Sequence, residues 1–416
     1  MKRQNQISVR GATNQVNTWF GVEHNGIYAS EQITNLIVNY GYIPVASGAE
    51  LNALRNTTLQ QMGAGTIWAG NYTTGINASY IQVKDIDLSG YHAGAGWTPI
   101  PTLNGVYDGN GLTINNLKIL TNGTVQNALI VNLYGMFQNV KFTNVDVKNS
   151  GTSTSYYAAT VCIFNYGIIH NVEVLSGSVE GYVYVGGVAS VNYSLIYRCR
   201  NFANIIGNQA AAAHAGGIIG LSRLKSSVVF CVNRGNINIA LNYGGGIVGF
   251  LPDSGSTIDM CANFGDIISA GSASTFMGGV TGQQRAGALI QNCYNRGNIQ
   301  HGATATYIGG CAAGYNGTSG ILINSYSTGT VNGNAENYRG GLIGRNVSGT
   351  ITNSYWDTQT SGTNIGTAGT GRTTAEMQTK SPADAGYFVG WNTNIWEFLP
   401  TDAYPTLKQI PLLWQQ

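Results

Sequence analysis

Charge is scarce in this sequence. Of 416 residues, 20 are Lys or Arg and 18 are Asp or Glu, 9% in all, against about 25% in an average soluble protein. The formal net charge of +2 supplies no long-range field, so no nucleic-acid partner is expected. Proline is rare, 8 residues, and no Gly-X-Y period exists, which excludes collagen. No apolar run approaches the roughly 20 residues that cross a bilayer, so no membrane insertion is expected. The basic start Met1-Lys2-Arg3 leads into no apolar signal core, and synthesis and folding in a cytoplasm are expected. What is present is glycine, 58 residues, and tyrosine, 24, in a chain that is 43% hydrophobic. Low charge with ordinary hydrophobicity is the reverse of a disordered composition.

The glycine is periodic. Pairs recur at Gly186-Gly187, Gly216-Gly217, Gly245-Gly246, Gly278-Gly279, Gly309-Gly310 and Gly340-Gly341, in steps of 30, 29, 33, 31 and 31 residues. A second column follows, at Cys199, Cys231, Cys261, Cys293, Ser325 and Ser354. Two residues after it come Asn201, Asn233, Asn263, Asn295 and Ser327; five after it, Asn204, Asn236, Asp266, Asn298 and Thr330; six after it, Ile205, Ile237, Ile267, Ile299 and Val331. Degenerate copies stand earlier, at Asn116-Leu117-Lys118-Ile119, Asn144-Val145-Asp146-Val147 and Asn171-Val172-Glu173-Val174.

Short β-rich runs at a 30-residue period, with no helix-length amphipathic pattern, predict an all-β parallel β-helix of nine or ten coils. Each column then becomes a ladder, with Cys inward, Asn amides bonded coil to coil, and glycine pairs turning corners at positive φ. Residues 81–360 are assigned to the coils. Residues 1–43 form an N-terminal arm, 44–80 an N-terminal cap with a short helix near Ala46–Leu54, and 361–416 a C-terminal cap. That last cap opens on Thr373-Thr374-Ala375-Glu376, a capping-box pattern, and brings aromatic clusters near Trp391, Trp396 and Tyr404.

Chemistry has few footholds. Acidic residues are sparse in the central coils, at Asp253, Asp259 and Asp266, and the pair that could meet on successive coils is Asp146 with Glu173. The five His are scattered and the six Cys lack C-x-x-C spacing, so neither metal nor cofactor is expected. A ladder of Phe202, Arg234, Phe264 and Arg296 alternates rings with guanidinium groups. It is read mainly as a self-satisfied surface stack and secondarily as a binding strip.

Gly216-Gly217-Ile218-Ile219-Gly220 and Cys231-Val232-Asn233-Arg234-Gly235-Asn236-Ile237 resemble the GLUG repeat of large bacterial surface proteins, including adhesins and non-catalytic parts of immunoglobulin A peptidases. The resemblance spans roughly residues 44–408 and implies a scaffold. Read together with the expectation of cytoplasmic folding, the chain looks like a non-enzymatic bacteriophage tail or virion protein. On that reading the arm docks to other tail proteins, the rod contacts a host-surface glycan or protein, and a homotrimer is the expected assembly. The alternatives are a bacterial cell-surface adhesin fragment and a tail-spike polysaccharide depolymerase.

Overall fold

The computed structural model describes residues 30–56, 60–61, 73–121, 126–150, 156–207, 214–240, 242–269, 275–302, 307–311, 315–316, 319–333, 338–379, 381, 386–399 and 403–411. Residues 1–29, most of the expected arm, lie outside them. The chain winds as a parallel β-solenoid. Each coil contributes a strand to a fourth sheet, two strands to a bent first sheet, then one strand each to a second and a third. In a central coil these are Ile219–Ser222, Ser227–Val229 with Val232–Asn233, Ile237–Ile239, and Asn242–Gly245. Among the described residues the second and fourth sheets hold 8 strands each and the third 7. About eight coils at roughly 4.8 Å make a rod near 40 Å long. The bent sheet runs further, from Ile43, which pairs with Tyr80, to Arg372, which pairs with Asp357. Its first strand therefore comes from the boundary between the expected arm and cap. The expected short helix forms at Gly48–Ala53, capped by the Ser47 side chain, which accepts from the Glu50 amide.

Inward columns are apolar and in register. Ile119, Val147, Val179, Ile205, Ile237, Ile267, Ile299 and Val331 stack in that order, all buried. The Cys column is inward too, and its chemistry follows from the residue before it. Asn139, Asn171, Arg198, Phe230, Met260, Asn292, Asn324 and Asn353 occupy one column, all with φ between 46° and 55°. This left-handed bend is one that Asn tolerates better than most residues. Beyond it, the N–H of Cys231 donates to Cys261 Sγ at 3.4 Å, that of Cys293 to Ser325 Oγ at 3.1 Å, and that of Ser325 to Ser354 Oγ at 3.2 Å. The same side chains donate back to a carbonyl two residues earlier, as Cys293 Sγ does to Gln291 O at 3.0 Å and Ser325 Oγ to Ile323 O at 2.9 Å. A thiol and a hydroxyl can both fill this role, which is why Ser continues the Cys column. All six cysteines are buried and unpaired as disulfides, and burial pushes the Cys199, Cys261 and Cys311 thiols well up. Because all six lie buried, out of a reagent's reach, a thiol-exchange reagent at pH 8 is expected to titrate none of them in the native protein and all six in denaturant. Rapid native labelling would contradict this.

The two Asn columns do different work. Inside, Asn201 Nδ2 donates to Asn233 Oδ1 at 3.0 Å, Asn233 to Asn263 at 2.8 Å and Asn263 to Asn295 at 2.7 Å. Each Nδ2 also donates to the carbonyl two residues on. Beyond Ser327 the column passes to Trp356, buried and in register with both Ser327 and Gly371. Outside, the side-chain oxygens of Asn204, Asn236, Asp266 and Asn298 each accept the backbone N–H one coil on. The outer role needs only an acceptor, so aspartate fits it. Asp266→Asn is accordingly expected to shift stability by less than about 0.5 kcal/mol in a denaturant titration; a loss above about 2 kcal/mol would mean the carboxylate has another task.

Two expectations need correction. The paired glycines do not adopt positive φ; the positive-φ glycines of the described chain lie elsewhere. Their reason is space: a Cβ on Gly217 would lie 2.2 Å from Asn233 Cγ, and one on Gly279 2.2 Å from Asn295 Cγ. The glycine column is the floor on which the inner amides lie. The degenerate copies are also mis-phased. Asn116 and Asn144 do share a column, Lys118 pairing with Asp146, but Asn171 stands opposite Asn139 on the bent sheet.

The C-terminal segment opens with the expected capping box, Thr373 with Glu376. It then packs along the flank of the rod. Phe388, Trp391, Trp396, Leu407 and Ile410 bury against Val232, Ala262, Tyr294, Tyr326 and Tyr355, the outward column one residue after the Cys column.

Candidate binding surface

The residues singled out for chemistry are not brought together. Asp146 is exposed on the second sheet, in register with Lys118 and Ser178. Glu173 lies on the bent sheet between Lys141 and Arg200 and is ion-paired with Arg200. Different sheets and different columns separate the two carboxylates, so they form no general acid–base pair. The central acids are likewise engaged. Asp253 accepts from Arg223 Nε at 3.1 Å, Asp259 from Gln291 and Asn292 at 2.9 Å each, and Asp266 caps the outer column.

Of the expected Phe202–Arg234–Phe264–Arg296 ladder, the last three members meet, with Arg234 4.5 Å above the Phe264 ring and Arg296 5.9 Å from it. Arg296 also donates to Tyr326 Oη at 3.0 Å, Tyr404 O at 3.3 Å and Pro405 O at 3.4 Å, and Tyr326 Oη donates to Pro405 O at 2.7 Å. Phe264 packs into the same cluster. The far half of this ladder is therefore the seam that holds the C-terminal segment, and the secondary reading as a binding strip is corrected there. Phe202 stacks under Arg200 at 5.4 Å.

A different column is aromatic on every coil from Tyr157 to Tyr338. Tyr157, Tyr184, His214, Tyr243, Phe276, Tyr307 and Tyr338 follow one another at ring separations of 5.0, 5.0, 4.7, 5.0, 4.9 and 4.6 Å. Five of them lie in strands of the third sheet, and from Tyr184 on each precedes its glycine pair by two residues, beside the corner, whereas Tyr157 precedes Ala159-Thr160; all are half-buried except His214, which is buried. Phe250 of the fourth sheet stacks on Tyr243 at 4.7 Å, and Phe164 meets Tyr157 edge-on at 5.7 Å. Phe164 leads to a second stack, Tyr134, Tyr166 and Tyr193, at 4.9 and 4.8 Å, with Tyr134 and Tyr166 55% and 40% exposed. The signal was present in the sequence as an aromatic two residues before each Gly-Gly. It was obscured because Tyr, His and Phe alternate there.

Tyr157 with Tyr184, and Tyr243 with Phe276 and Tyr307, stack face to face and so present edges and hydroxyls, whereas His214 meets Tyr184 and Tyr243 edge-on and Tyr338 is tilted 59° to Tyr307. Burial, and then neighbouring tyrosines, raise the Tyr157 and Tyr166 hydroxyls above their ordinary value, and burial raises that of Tyr184. They remain neutral at pH 7, able to donate and to accept. Guanidinium groups border the strip, with Arg285 5.4 Å from the Phe250 centroid and Arg345 5.5 Å from that of Tyr307.

No family model matches this chain, and no curated protein matches it. Two solved structures are similar in fold. A Bacteroides ovatus chain provisionally named an immunoglobulin A1 protease superposes with a TM-score of 0.45 at 16% identity, over 90% of this chain and 93% of its own. A chain named IgA1 protease gives 0.41 at 16% identity over 88% of this chain and 26% of its own, so this chain spans about a quarter of that protein's length.

Proposed function

We propose that the protein is a non-enzymatic binding rod that grips an elongated surface glycan along its aromatic strip. The observation that carries this is the continuous aromatic column from Tyr157 to Tyr338, seven coils long and half-buried at every position but the buried His214. The inner ladders already hold the fold, and this column adds a row of hydroxyls and apolar edges at the coil spacing. A rigid row loses little entropy on binding a polymer, so many weak contacts sum. The separation of Asp146 from Glu173 supports binding without hydrolysis. The setting proposed is a bacteriophage tail spike or fibre, with a bacterial cell-surface adhesin as the alternative.

Replacing Tyr157, Tyr184 and Tyr243 together by Phe keeps the stack and removes three hydroxyls. Binding to extracted envelope polysaccharide of host bacteria is expected to weaken about tenfold or more, at about 0.5–1.5 kcal/mol per hydrogen bond, with an unchanged melting curve. Unaltered binding would remove the strip from the function, and oligosaccharide released from that polysaccharide would overturn the non-enzymatic reading. Mass spectrometry of purified phage particles decides the setting: presence of the chain supports the virion, absence overturns it.

A further inference from the structure

The strip's electrostatics narrow the ligand. An aromatic ring carries negative potential on its faces and positive potential on its edges. Along Tyr157–Tyr184 and Tyr243–Phe276–Tyr307 the faces are spent on neighbouring rings, which leaves edges and hydroxyls toward the surface. The cations fall on the same side. The column that begins with Tyr134, Tyr166 and Tyr193 continues with Arg223, Pro252 and Arg285, which sets Arg223 and Arg285 two coils, roughly 10 Å, apart. Arg223 is neutralised by Asp253 at 3.1 Å. Among the described residues no carboxylate pairs with the exposed Arg285, which lies against Phe250 at 5.4 Å. Arg345, also exposed, lies 5.5 and 5.9 Å from the Tyr307 and Tyr338 rings and donates to Tyr307 Oη at 2.8 Å.

Resting a guanidinium against an aromatic ring restricts its rotamers, so less freedom is lost when a planar anion arrives. A guanidinium fork matches a carboxylate in geometry as well as in charge. We propose that the strip takes an acidic polysaccharide, with Arg285 and Arg345 reading its carboxylates while the tyrosine row holds the sugar hydroxyls. This rests on the strip being the binding surface. The small overall charge of +2 makes the recognition local: two fixed guanidinium groups rather than a general field for polyanions.

The test is titration calorimetry of the full chain with oligogalacturonate, oligomannuronate and oligosialate, each beside its carboxyl-reduced neutral counterpart. A single-stranded oligonucleotide serves as the polyanion control. At least one acidic oligomer is expected to bind about tenfold or more tighter than its neutral counterpart, a factor worth about 1.4 kcal/mol. Arg285→Gln with Arg345→Gln is expected to abolish that ratio, and the triple Tyr→Phe variant to weaken acidic and neutral forms alike; circular dichroism checks that both variants fold. Equal affinity for acidic and neutral forms overturns the acidic reading and leaves the strip standing. Binding to none of the acidic oligomers, or equal binding of the oligonucleotide, also overturns it. Binding that survives the triple Tyr→Phe change overturns the strip itself.

Discussion

Gly246→Ala is expected to destabilise the middle of the rod by about 3–5 kcal/mol. The added Cβ would lie 2.0 Å from the Gly279 carbonyl oxygen and 2.3 Å from Asn263 Cγ, far inside contact distance. Neither neighbour can yield cheaply. Gly279 O belongs to the next coil, held in register by Tyr243 on Phe276 and Val248 on Thr281. Asn263 is fixed by bonds to Gly265 O at 2.9 Å and Asn295 Oδ1 at 2.7 Å. The backbone must move or the amide ladder must break, and a broken amide leaves buried donors unsatisfied. Because coils touch only their neighbours, the loss should be local. Amide exchange should accelerate first in the coils around Gly246, and the denaturant midpoint should fall. Gly90→Ala is the control: its Cβ would meet nothing within 4 Å, and no measurable change is expected. If both variants unfold alike, the account of the glycine column is wrong.

What the sequence shows well is whatever repeats with the coil. In a solenoid the neighbour above is one coil away in sequence, so Cys199, Cys231, Cys261 and Cys293 become touching side chains by counting alone. The inner amides were legible for the same reason. The glycine pairs were visible but misread: a positive-φ corner and a space reserved for an amide leave the same residue in the sequence, and only the 2.2 Å approach to Asn233 separates them. The aromatic column was overlooked because His214 and Phe276 interrupt a tyrosine pattern, although all three residue types stack. Asp146 and Glu173 were paired on a shared Asn-Val motif, but the early coils vary in length, and the motif falls on the second sheet in one coil and on the bent sheet in the next. The docking of the C-terminal segment was not legible at all. Arg296 reaches Tyr404 across 108 residues, through a contact that no periodicity announces.

The second large effect comes from a one-atom change. Asn263→Asp keeps the acceptor that Asn233 Nδ2 needs at 2.8 Å but replaces the donor with an oxygen. That oxygen faces Gly265 O and Asn295 Oδ1, both acceptors, at 2.9 and 2.7 Å. The site is fully buried, so an ionised carboxylate there is desolvated and repelled, with no cation among the hydrogen-bond partners shown for Asn263, a situation that costs about 3–5 kcal/mol. Protonation restores one donor and removes the charge. The folded-state pKa of the introduced carboxyl is therefore raised above its unfolded value of about 3.9. For a raised pKa the folded state holds the proton more tightly, and stability is lost as pH rises from the unfolded to the folded value. The deficit relative to the parent should be smallest below about pH 4, grow with rising pH, and level off once the folded-state carboxyl ionises. Asp266→Asn, in the outer column, should show no comparable trend. A deficit for Asn263→Asp that is flat from pH 4 to pH 8 would mean the inner ladder tolerates an acceptor in place of a donor. The physical distinction between the two Asn columns would then fail.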